Sequence, residues 1–344
     1  MVHNKQGIDM LHGRIWTKVL RFALPVAATG ILEQLFNASG IMIVGNFSQS
    51  DGTAAVAAVG SNAPVTGLIL NLFIGIALGA NVVIANAIGR GSREAVRNAV
   101  HTSIVTALIG GVIVAIIGEL LAGPLLGMLN VTADVFPLAL AYLRIYLIGM
   151  PVILLYNFET AIFRSIGDTQ APLAVLAISG VLNVTMGLIF VVLFHWGVSG
   201  VATATVIANV VSSMILLYRL VHTDAAIHVD LREFGIDWFT LRQILRIGLP
   251  AGVQSAVFAV ANIIIQAAIN SLGTVVMAAS SAAFNIEIIA YYVLNSFSQA
   301  CATFTGQKLW SQTDRTLQAR AWHLHSGGFH RHRGHHRRRA VLRP

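Results

Sequence analysis

The sequence predicts an all-α polytopic membrane protein, with one six-helix lobe followed by the first two helices of a second lobe that repeats it. Three observations support this fold class. Hydrophobic residues make up 56% of the chain and charged residues only 10%, whereas soluble domains are about 25% charged. Eight apolar stretches are long enough to cross a bilayer, which takes about 20 residues. A segment near the N-terminus also recurs late in the chain, as in membrane bundles with internal repeats.

The internal repeat begins at Leu20–Pro25, which reads LRFALP and returns at Leu245–Pro250 as LRIGLP, 225 residues later. Asn37 and Asn262 match at the same offset. Six predicted spans separate the two segments, and six is an even number. Both copies therefore enter the membrane from the same side, which makes this a parallel repeat.

The predicted spans follow the apolar runs between short polar turns. The first run has a basic lead but is too long for the apolar core of a signal peptide, so we interpret it as a spanning helix. The predicted ranges are 17–46, 55–88, 96–126, 133–158, 170–194, 199–221, 241–270 and 274–306.

Basic residues in the connections predict the orientation. Connections on the cytoplasmic side of a membrane are enriched in Lys and Arg. Here all such residues fall in the connections after the second, fourth and sixth spans, which lie on one side. We therefore expect a multi-pass protein of the plasma membrane with a cytoplasmic N-terminus. The residues concerned are Arg90, Arg93, Arg97, Arg164, Arg219, Arg232 and Arg242.

The chain divides into four predicted regions. Residues 1–221 form the six-helix lobe, and 222–240 form a cytoplasmic linker that is either an interfacial amphipathic segment or an ordinary solvated one. Residues 241–307 supply two helices of the second lobe, and 308–344 form a disordered basic, histidine-rich tail. Residues 1–307 contain 13 basic and 13 acidic residues, so the tail alone carries the net charge of +8. We expect no nucleic-acid partner.

Ionisable groups within the spans are the strongest functional candidates. A charged side chain at the bilayer centre costs about 2.5 to 3.5 kcal/mol on insertion scales, so such residues usually serve a function. Glu33 lies four residues before Asn37 on the same face of the first span. Glu287 lies in the eighth span. We predict these three as cation-coupling residues, with hydrogen bonding between helices as the alternative.

Polar amides elsewhere in the spans are candidates for lining a cavity or binding substrate. Hydrogen bonds that serve only helix packing are the alternative. Two further carboxyl groups, Glu119 and Glu159, are predicted to lie exposed near helix ends. The amide candidates are Asn183, Asn209, Gln254, Asn262, Gln266 and Asn285.

Short motifs connect the chain to a known family. The motifs are Gln34–Asn37 with Ile43–Gly45, Gly89–Gly91, Arg164–Pro172, Leu182-Asn183 and Gly197–Thr205. In these stretches the sequence resembles the multidrug and toxic compound extrusion (MATE) transporters.

The motif Arg164–Pro172 has a physical interpretation of its own. Gly167 permits a tight turn, and Asp168 or Thr169 can cap the following helix. Pro172 suits a first helical turn, and Arg164 is expected to anchor the turn in the cytoplasm.

The glycines of the motif Gly197–Thr205 also have a structural role in this interpretation. Gly197 and Gly200 are small enough to let two helix backbones approach closely. We therefore do not predict either of them as a substrate ligand.

The resemblance implies an antiporter that exports organic cations and drugs through a cavity between two six-helix lobes, driven by a proton or sodium gradient. It implies a monomer in contact with membrane lipid, small-molecule substrates and no cofactor. The chain departs from the family at Gly40, where many relatives have an aspartate linked to cation coupling. A lipid-linked saccharide flippase of the same superfamily is the alternative.

The spans contain no zinc pair, nucleophile elbow or phosphate loop, so we predict no enzyme and no catalytic or metal-binding residues.

The family has twelve helices, whereas the apolar sequence here stops after the eighth span. If Lys308–Gln312 is encoded as AAA CTA TGG AGC CAG, loss of one A gives Asn-Tyr-Gly-Ala, which is typical of the family after Gly-Gln. We therefore expect the residues after Gln307 to be a frameshift product, with a metal-binding or polybasic tail as alternatives. We also expect such a truncated chain to be unstable and poorly active, or a non-functional fragment, because apolar faces and polar groups would be left open to lipid.

Overall fold

The computed structural model describes residues 8, 10, 15–48, 52–129, 131–230, 235–270 and 274–310. These residues form nine α-helices and one π-helical turn, and no strand occurs among them. The helices are α1 Ile15–Phe47, α2 Gly52–Gly89, α3 Arg93–Met128, α4 Phe136–Ile148, α5 Met150–Ser165, α6 Gln170–Leu188, α7 Gly197–Val221, α8 Trp238–Asn270 and α9 Thr274–Trp310, and the π-helical turn Ile189–Leu193 extends α6.

The helices account for the predicted spans. Among the described residues, six helices are long and apolar enough to cross a membrane, and α4 and α5 together make a seventh if the pair is one broken span. The helix α9 has 37 residues and corresponds to the predicted eighth span. The prediction of an all-α polytopic membrane protein is therefore confirmed.

The fourth span differs from its predicted range of 133–158. It bends by 53° between α4 and α5 and then continues to Ser165. The break lies at Gly149, two residues before Pro151, which has no N–H to donate and so cannot continue the hydrogen-bond ladder. As a consequence Glu159 lies inside α5 and is fully buried. The prediction that Glu159 is exposed near a helix end was wrong.

The linker packs against the first lobe. Ile227 and Val229 are fully buried and belong to the same apolar cluster as Phe158 and Ile162 of α5. The backbone N–H of Asp230 donates to Nε2 of His101 on α3 at 3.2 Å. In residues 222–230 the apolar side chains thus pack against the helix bundle, and residues 231–234 lie outside the described part of the chain.

The helix α9 continues past the predicted boundary at Gln307 and includes Lys308, Leu309 and Trp310. The predicted disordered tail therefore begins at least three residues too early. Residues 311–344, where the remainder of that prediction falls, lie outside the described residues.

Candidate functional site

The helices α8 and α9, which the sequence interpretation assigns to a second lobe, contact the helices that it assigns to the first lobe mainly on one side of the bundle. This side, which we call the closed face, is where α1 and α8 begin and where α2 and α9 end. Glycines bring α2 and α8 together there. A Cβ atom added to Gly75 would lie 2.1 Å from the backbone N of Gly252, and one added to Gly79 would lie 2.7 Å from the N of Gly248. The two backbones touch, as in membrane helices that pair through small residues four apart.

Aromatic side chains fill the contact between α1 and α9. Phe22 meets Phe304 edge to face, with ring centroids 6.0 Å apart. The ring of Tyr292 lies over Gly30, where an added Cβ would approach it to 2.3 Å. The closed face therefore contains two kinds of helix contact. Glycines of α2 and α8 pack against each other, and aromatic side chains pack between α1 and α9.

Buried hydrogen bonds join the lobes at the same face. Asn81 of α2 donates from Nδ2 to the Ala161 carbonyl of α5 at 2.9 Å, and its Oδ1 accepts from the Thr303 hydroxyl of α9 at 2.9 Å. Gln307 of α9 donates from Nε2 to the Ser165 carbonyl at 2.6 Å. Separation of the lobes here would leave these groups without partners, which costs about 1 to 3 kcal/mol for each buried group.

Toward the opposite side, α1 and α8 present polar side chains that are exposed. Glu33 and Asn37 are exposed on α1, and Gln254 and Asn262 are exposed on α8. These four side chains therefore lie outside the contacts that α8 and α9 make at the closed face, and we call this part of α1 and α8 the open region.

Glu33 lies at the boundary between the packed and the open region. Its carboxylate interacts through space with the guanidinium of Arg164 at the end of α5. It also interacts with the hydroxyls of Tyr146 on α4, Tyr156 on α5 and Tyr292 on α9. These groups come from four helices and both lobes. The sequence did not indicate them, because a tyrosine in an apolar run has the same pattern as a packing residue.

Arg164, which the sequence analysis expected to anchor the turn in the cytoplasm, contacts α9. Its guanidinium is half-buried, and Nη1 donates to Oε1 of Gln299 on α9 at 2.9 Å. Gln299 in turn donates to Oδ1 of Asn295 at 2.8 Å, and Asn295 donates to the hydroxyl of Tyr291 at 3.1 Å. The arginine therefore contacts a polar row along α9 and also interacts electrostatically with Glu33 of α1.

The other predicted residues do not form a single cluster. Asn183 is half-buried on α6, and Asn209 donates to the Thr205 carbonyl of its own helix at 2.9 Å. Glu287 is exposed on α9. Two further candidates, Gln266 and Asn285, lie in α8 and α9, but their side chains are outside the described part of the structure.

The turn after Arg164 has the expected backbone. Gly167 has φ +83°, which disfavours other residues. Asp168, and not Thr169, accepts the hydrogen bond that caps α6, from the Ala171 N–H at 3.0 Å. Burial is the largest effect on the carboxyl of Asp168 and raises its pKa. Pro172 is buried in the first turn of α6.

The two glycines at the start of α7 also serve local structure. Gly197 has φ +50°, and a Cβ added to Gly200 would lie 2.9 Å from Cβ of Phe190. Gly197 therefore serves a backbone conformation that favours glycine, and Gly200 allows close approach to Phe190 near the π-helical turn.

Glu159 is a buried carboxyl group that the sequence interpretation missed. Neither of its oxygens has a hydrogen-bond partner in the described structure, and the hydroxyl of Ser213 on α7 faces it without reaching hydrogen-bond geometry. A buried polar group without a partner is costly. The sequence contained a signal for this burial. Glu159 stands two residues after Asn157, and the apolar residues that follow it continue the helix beyond the predicted end of the span.

Comparison with known proteins shows which protein family this chain resembles in sequence and in fold. The sequence model of the MatE family matches residues 25–189. "Probable multidrug resistance protein YpnP" of Bacillus subtilis is 24% identical over 308 residues, which cover 88% of this chain and 67% of that protein. "Probable multidrug resistance protein NorM" of Thermotoga maritima is 26% identical over 305 residues, with 84% and 62% covered. This chain thus spans about two thirds of the length of these relatives.

A solved structure described as the outward-facing conformation of a multidrug resistance MATE family transporter superposes with a TM-score of 0.82. The identity is 25%, and the match covers 92% of this chain and 70% of that one. The arrangement of the described helices is therefore that of a MATE transporter.

Proposed function

Because the chain belongs to the MatE family, whose members are transporters and not enzymes, we propose that it exports drug-like organic cations from the cell by cation antiport. The single observation that carries this proposal is the position of Glu33. Its carboxyl group is exposed on α1 and interacts electrostatically with the hydroxyls of Tyr146, Tyr156 and Tyr292. An exposed carboxylate attracts organic cations by its charge, and tyrosine rings add cation–π contacts where a cation lies over them.

We assign the closed face to the cytoplasm of a cell with this protein in its plasma membrane. Arg90, Arg93 and Arg97 lie at the end of α2 and the start of α3, and Arg219 lies at the end of α7, all on this face. This bias supports a cytoplasmic N-terminus. The open region between the lobes then faces outward.

We propose the proton as the coupling ion. Glu33 carries a carboxyl group that can bind one proton, and its charged neighbour in the described part of the chain is the cation Arg164. Sodium prefers several oxygen ligands, and a nearby guanidinium repels it. Proton binding from outside and cation binding from inside would then alternate at the same carboxylate.

The proposal is tested by ethidium efflux from cells of an efflux-deficient bacterial host that express the full 344-residue chain. We expect weak energy-dependent efflux, in keeping with the reduced activity expected of a chain with eight spans, and its loss in Glu33→Gln. The matched control is Glu94→Gln, which removes an exposed carboxylate at the start of α3 and is expected to leave efflux unchanged. Equal efflux by Glu33→Gln and the unaltered chain would overturn the assignment of Glu33.

A further inference from the structure

Two neighbouring side chains of α3, His101 and Thr102, attach the linker that leads to α8. The backbone N–H of Asp230 donates to Nε2 of His101 at 3.2 Å, and the N–H of Asp237 donates to the hydroxyl of Thr102 at 3.0 Å. Both side chains are buried. Because they follow each other in the sequence, one short stretch of α3 holds the chain at two positions of the linker.

The hydrogen bond from Asp230 determines the state of the His101 ring. A backbone N–H can only donate, so Nε2 accepts, carries no proton and belongs to a neutral imidazole. The Thr102 hydroxyl accepts in the same way. Loss of either acceptor would leave a backbone N–H without its partner beside a buried part of the helix, which is unfavourable.

Asp237 connects the linker to α8. Its N–H is bound to Thr102 of α3, while its carboxylate accepts from the N–H of Thr240 at 3.1 Å and caps the first turn of α8. Its carbonyl accepts from the N–H of Leu241 at 2.8 Å. A single residue is therefore bonded both to α3 and to the start of α8.

The described part of the linker before Asp230 moves with the helices that precede it. The N–H of Val229 donates to the carbonyl of Leu220 at the end of α7 at 3.1 Å. The side chains of Ile227 and Val229 are fully buried in the apolar cluster that includes Phe158 of α5. A rotation of α8 relative to these helices therefore falls near the junction of Asp237 with α8.

A polar cavity beside this junction gives the first turn of α8 room to move. It lies between the end of α2, the start of α3 and the start of α8, and its volume of about 240 Å³ can hold several water molecules at about 30 Å³ each. Water can bond to the lining groups at more than one angle of α8. The polar lining includes Asn86, Ser92, Asn98, Thr240 and Gln243.

The two edges of the closed face differ in the way they are held. At the edge of α2 and α8 the backbones touch through glycines such as Gly75 and Gly252, and α3 holds Asp237 beside them. At the edge of α1 and α9 the contact is between side chains, as where Phe22 meets Phe304. The backbone attachment therefore lies at the edge of α2 and α8.

We propose that His101 and Thr102 are positioning residues that hold the pivot of the transport movement, the junction of Asp237 with α8. This inference rests on the proposed transport through two moving groups of helices. The helices α8 and α9 turn about this junction, so the cytoplasmic side opens between α1 and α9 while the start of α8 keeps its place against α3. Without these acceptors the start of α8 shifts instead of turning.

Hydrogen exchange of the full chain in lipid nanodiscs tests the attachment of Asp237. In Thr102→Val, which has a similar volume but no hydroxyl, we expect exchange of the Asp237 amide to be about tenfold faster, as for loss of one hydrogen bond. Thr102→Ser should restore slow exchange. The matched control is Thr106→Val, since that hydroxyl donates to the Thr102 carbonyl within α3 at 2.6 Å. Unchanged exchange in Thr102→Val would overturn the proposal.

The same measurement tests the attachment of Asp230. His101→Leu removes the acceptor, so exchange of the Asp230 amide should again be about tenfold faster. His101→Gln places an amide oxygen near the position of Nε2 and should keep exchange slow. Equal exchange in these two variants would show that the imidazole only fills space.

Electron paramagnetic resonance locates the pivot. One pair of spin labels spans the edge of α1 and α9, and the other spans the edge of α3 and α8. Phe304→Ala removes the ring that packs on Phe22 and favours opening without any substrate. The label positions are exposed, Arg21 with Leu309 and Arg93 with Arg242, in the full chain carrying Cys301→Ser.

The pivot predicts an unequal response of the two label pairs. In Phe304→Ala we expect a longer distance between Arg21 and Leu309 and an unchanged distance between Arg93 and Arg242. Addition of Thr102→Val should shift the second distance as well. Lengthening of both distances in Phe304→Ala alone, or a second distance that Thr102→Val leaves unchanged, would overturn the pivot.

Failure of the pivot and failure of the proposed transport can be told apart. Fluorescence polarisation of ethidium with the same nanodiscs tests the substrate class alone. The unequal response of the label pairs without ethidium binding would support the pivot and contradict the organic-cation assignment. Ethidium efflux that is equal in Thr102→Val and Thr102→Ser would overturn the role of the pivot in transport and leave the substrate class in place.

Discussion

Single side chains account for the most specific features of this protein, and several of them are polar groups within helices. Glu33 and Glu159 belong to the same lobe but have different surroundings. Glu33 borders the open region and interacts with a guanidinium and three tyrosines. Glu159 is fully buried and its oxygens have no hydrogen-bond partner in the described part of the structure. We therefore assign coupling to Glu33 and expect a stability cost at Glu159.

Substitution of Glu159 by methionine should raise the thermal stability of the protein in detergent. Methionine has a similar length and no polar atom, so it removes a buried group that lacks partners, a gain of about 1 to 3 kcal/mol. The midpoint of thermal unfolding measures the effect. Glu94→Met is the control, since it removes an exposed carboxyl group at the start of α3 and should give no gain. A midpoint for Glu159→Met below that of the unaltered chain would show that the carboxyl group has a stabilising partner.

Pairs of helices determine how the two lobes meet. The contact of α2 with α8 depends on the absence of side chains at Gly75, Gly79, Gly248 and Gly252. Elsewhere on α2, Gly60 has no atom within 4 Å of an added Cβ. Glycine is therefore required for the helix contact at Gly75 and Gly79 but not at Gly60. A substitution at Gly60 can thus serve as the control for one at Gly75.

Alanine at Gly75 should destabilise the protein, whereas alanine at Gly60 should not. The added methyl group at Gly75 would overlap the backbone of α8. At Gly60 the substitution only improves helix propensity, by about 1 kcal/mol. Thermal unfolding of both variants is the measurement. Equal shifts in the two variants would show that α2 and α8 are not in close contact.

The start of α8 predicts a pH dependence of stability. Asp237 accepts hydrogen bonds from the N–H of Thr240 at 3.1 Å and from its hydroxyl, and these bonds lower the pKa of Asp237. A lowered pKa means that the stabilisation is present above the unfolded pKa of about 3.9. It is lost as the pH falls from there through the lower folded value.

Asp237→Asn should therefore reduce the acid-dependent loss of stability below about pH 4. At neutral pH, Asp237→Ala should lower the stability by about 1 kcal/mol, as expected for loss of a helix cap. Unfolding midpoints between pH 3 and pH 7 in a series of buffers, a range set by that reference value, measure both effects. An identical pH profile for Asp237→Asn and the unaltered chain would contradict the assignment.

The whole molecule combines a closed face with an open region, and the sequence predicted its outline better than its interior. The apolar runs located the ends of every span except the fourth to within four residues, because the thickness of the bilayer imposes length and hydropathy on each span. They did not locate the break at Gly149, which moved Glu159 into the core. They also gave no sign of the contact between Arg164 and α9, since a basic residue near a helix end has the same pattern whichever helix it contacts. Such details depend on which helices become neighbours.

The role of Glu33 in exchanging protons for organic cations is the central claim. Its most direct test is a counterflow measurement in proteoliposomes that contain the full chain and a trapped pH-sensitive dye. An outward ethidium gradient, applied without sodium, should drive protons in the opposite direction. Glu33→Gln should abolish this proton flux, and Glu94→Gln should preserve it. Ethidium flux that moves no protons, or proton counterflow that persists in Glu33→Gln, would contradict the account.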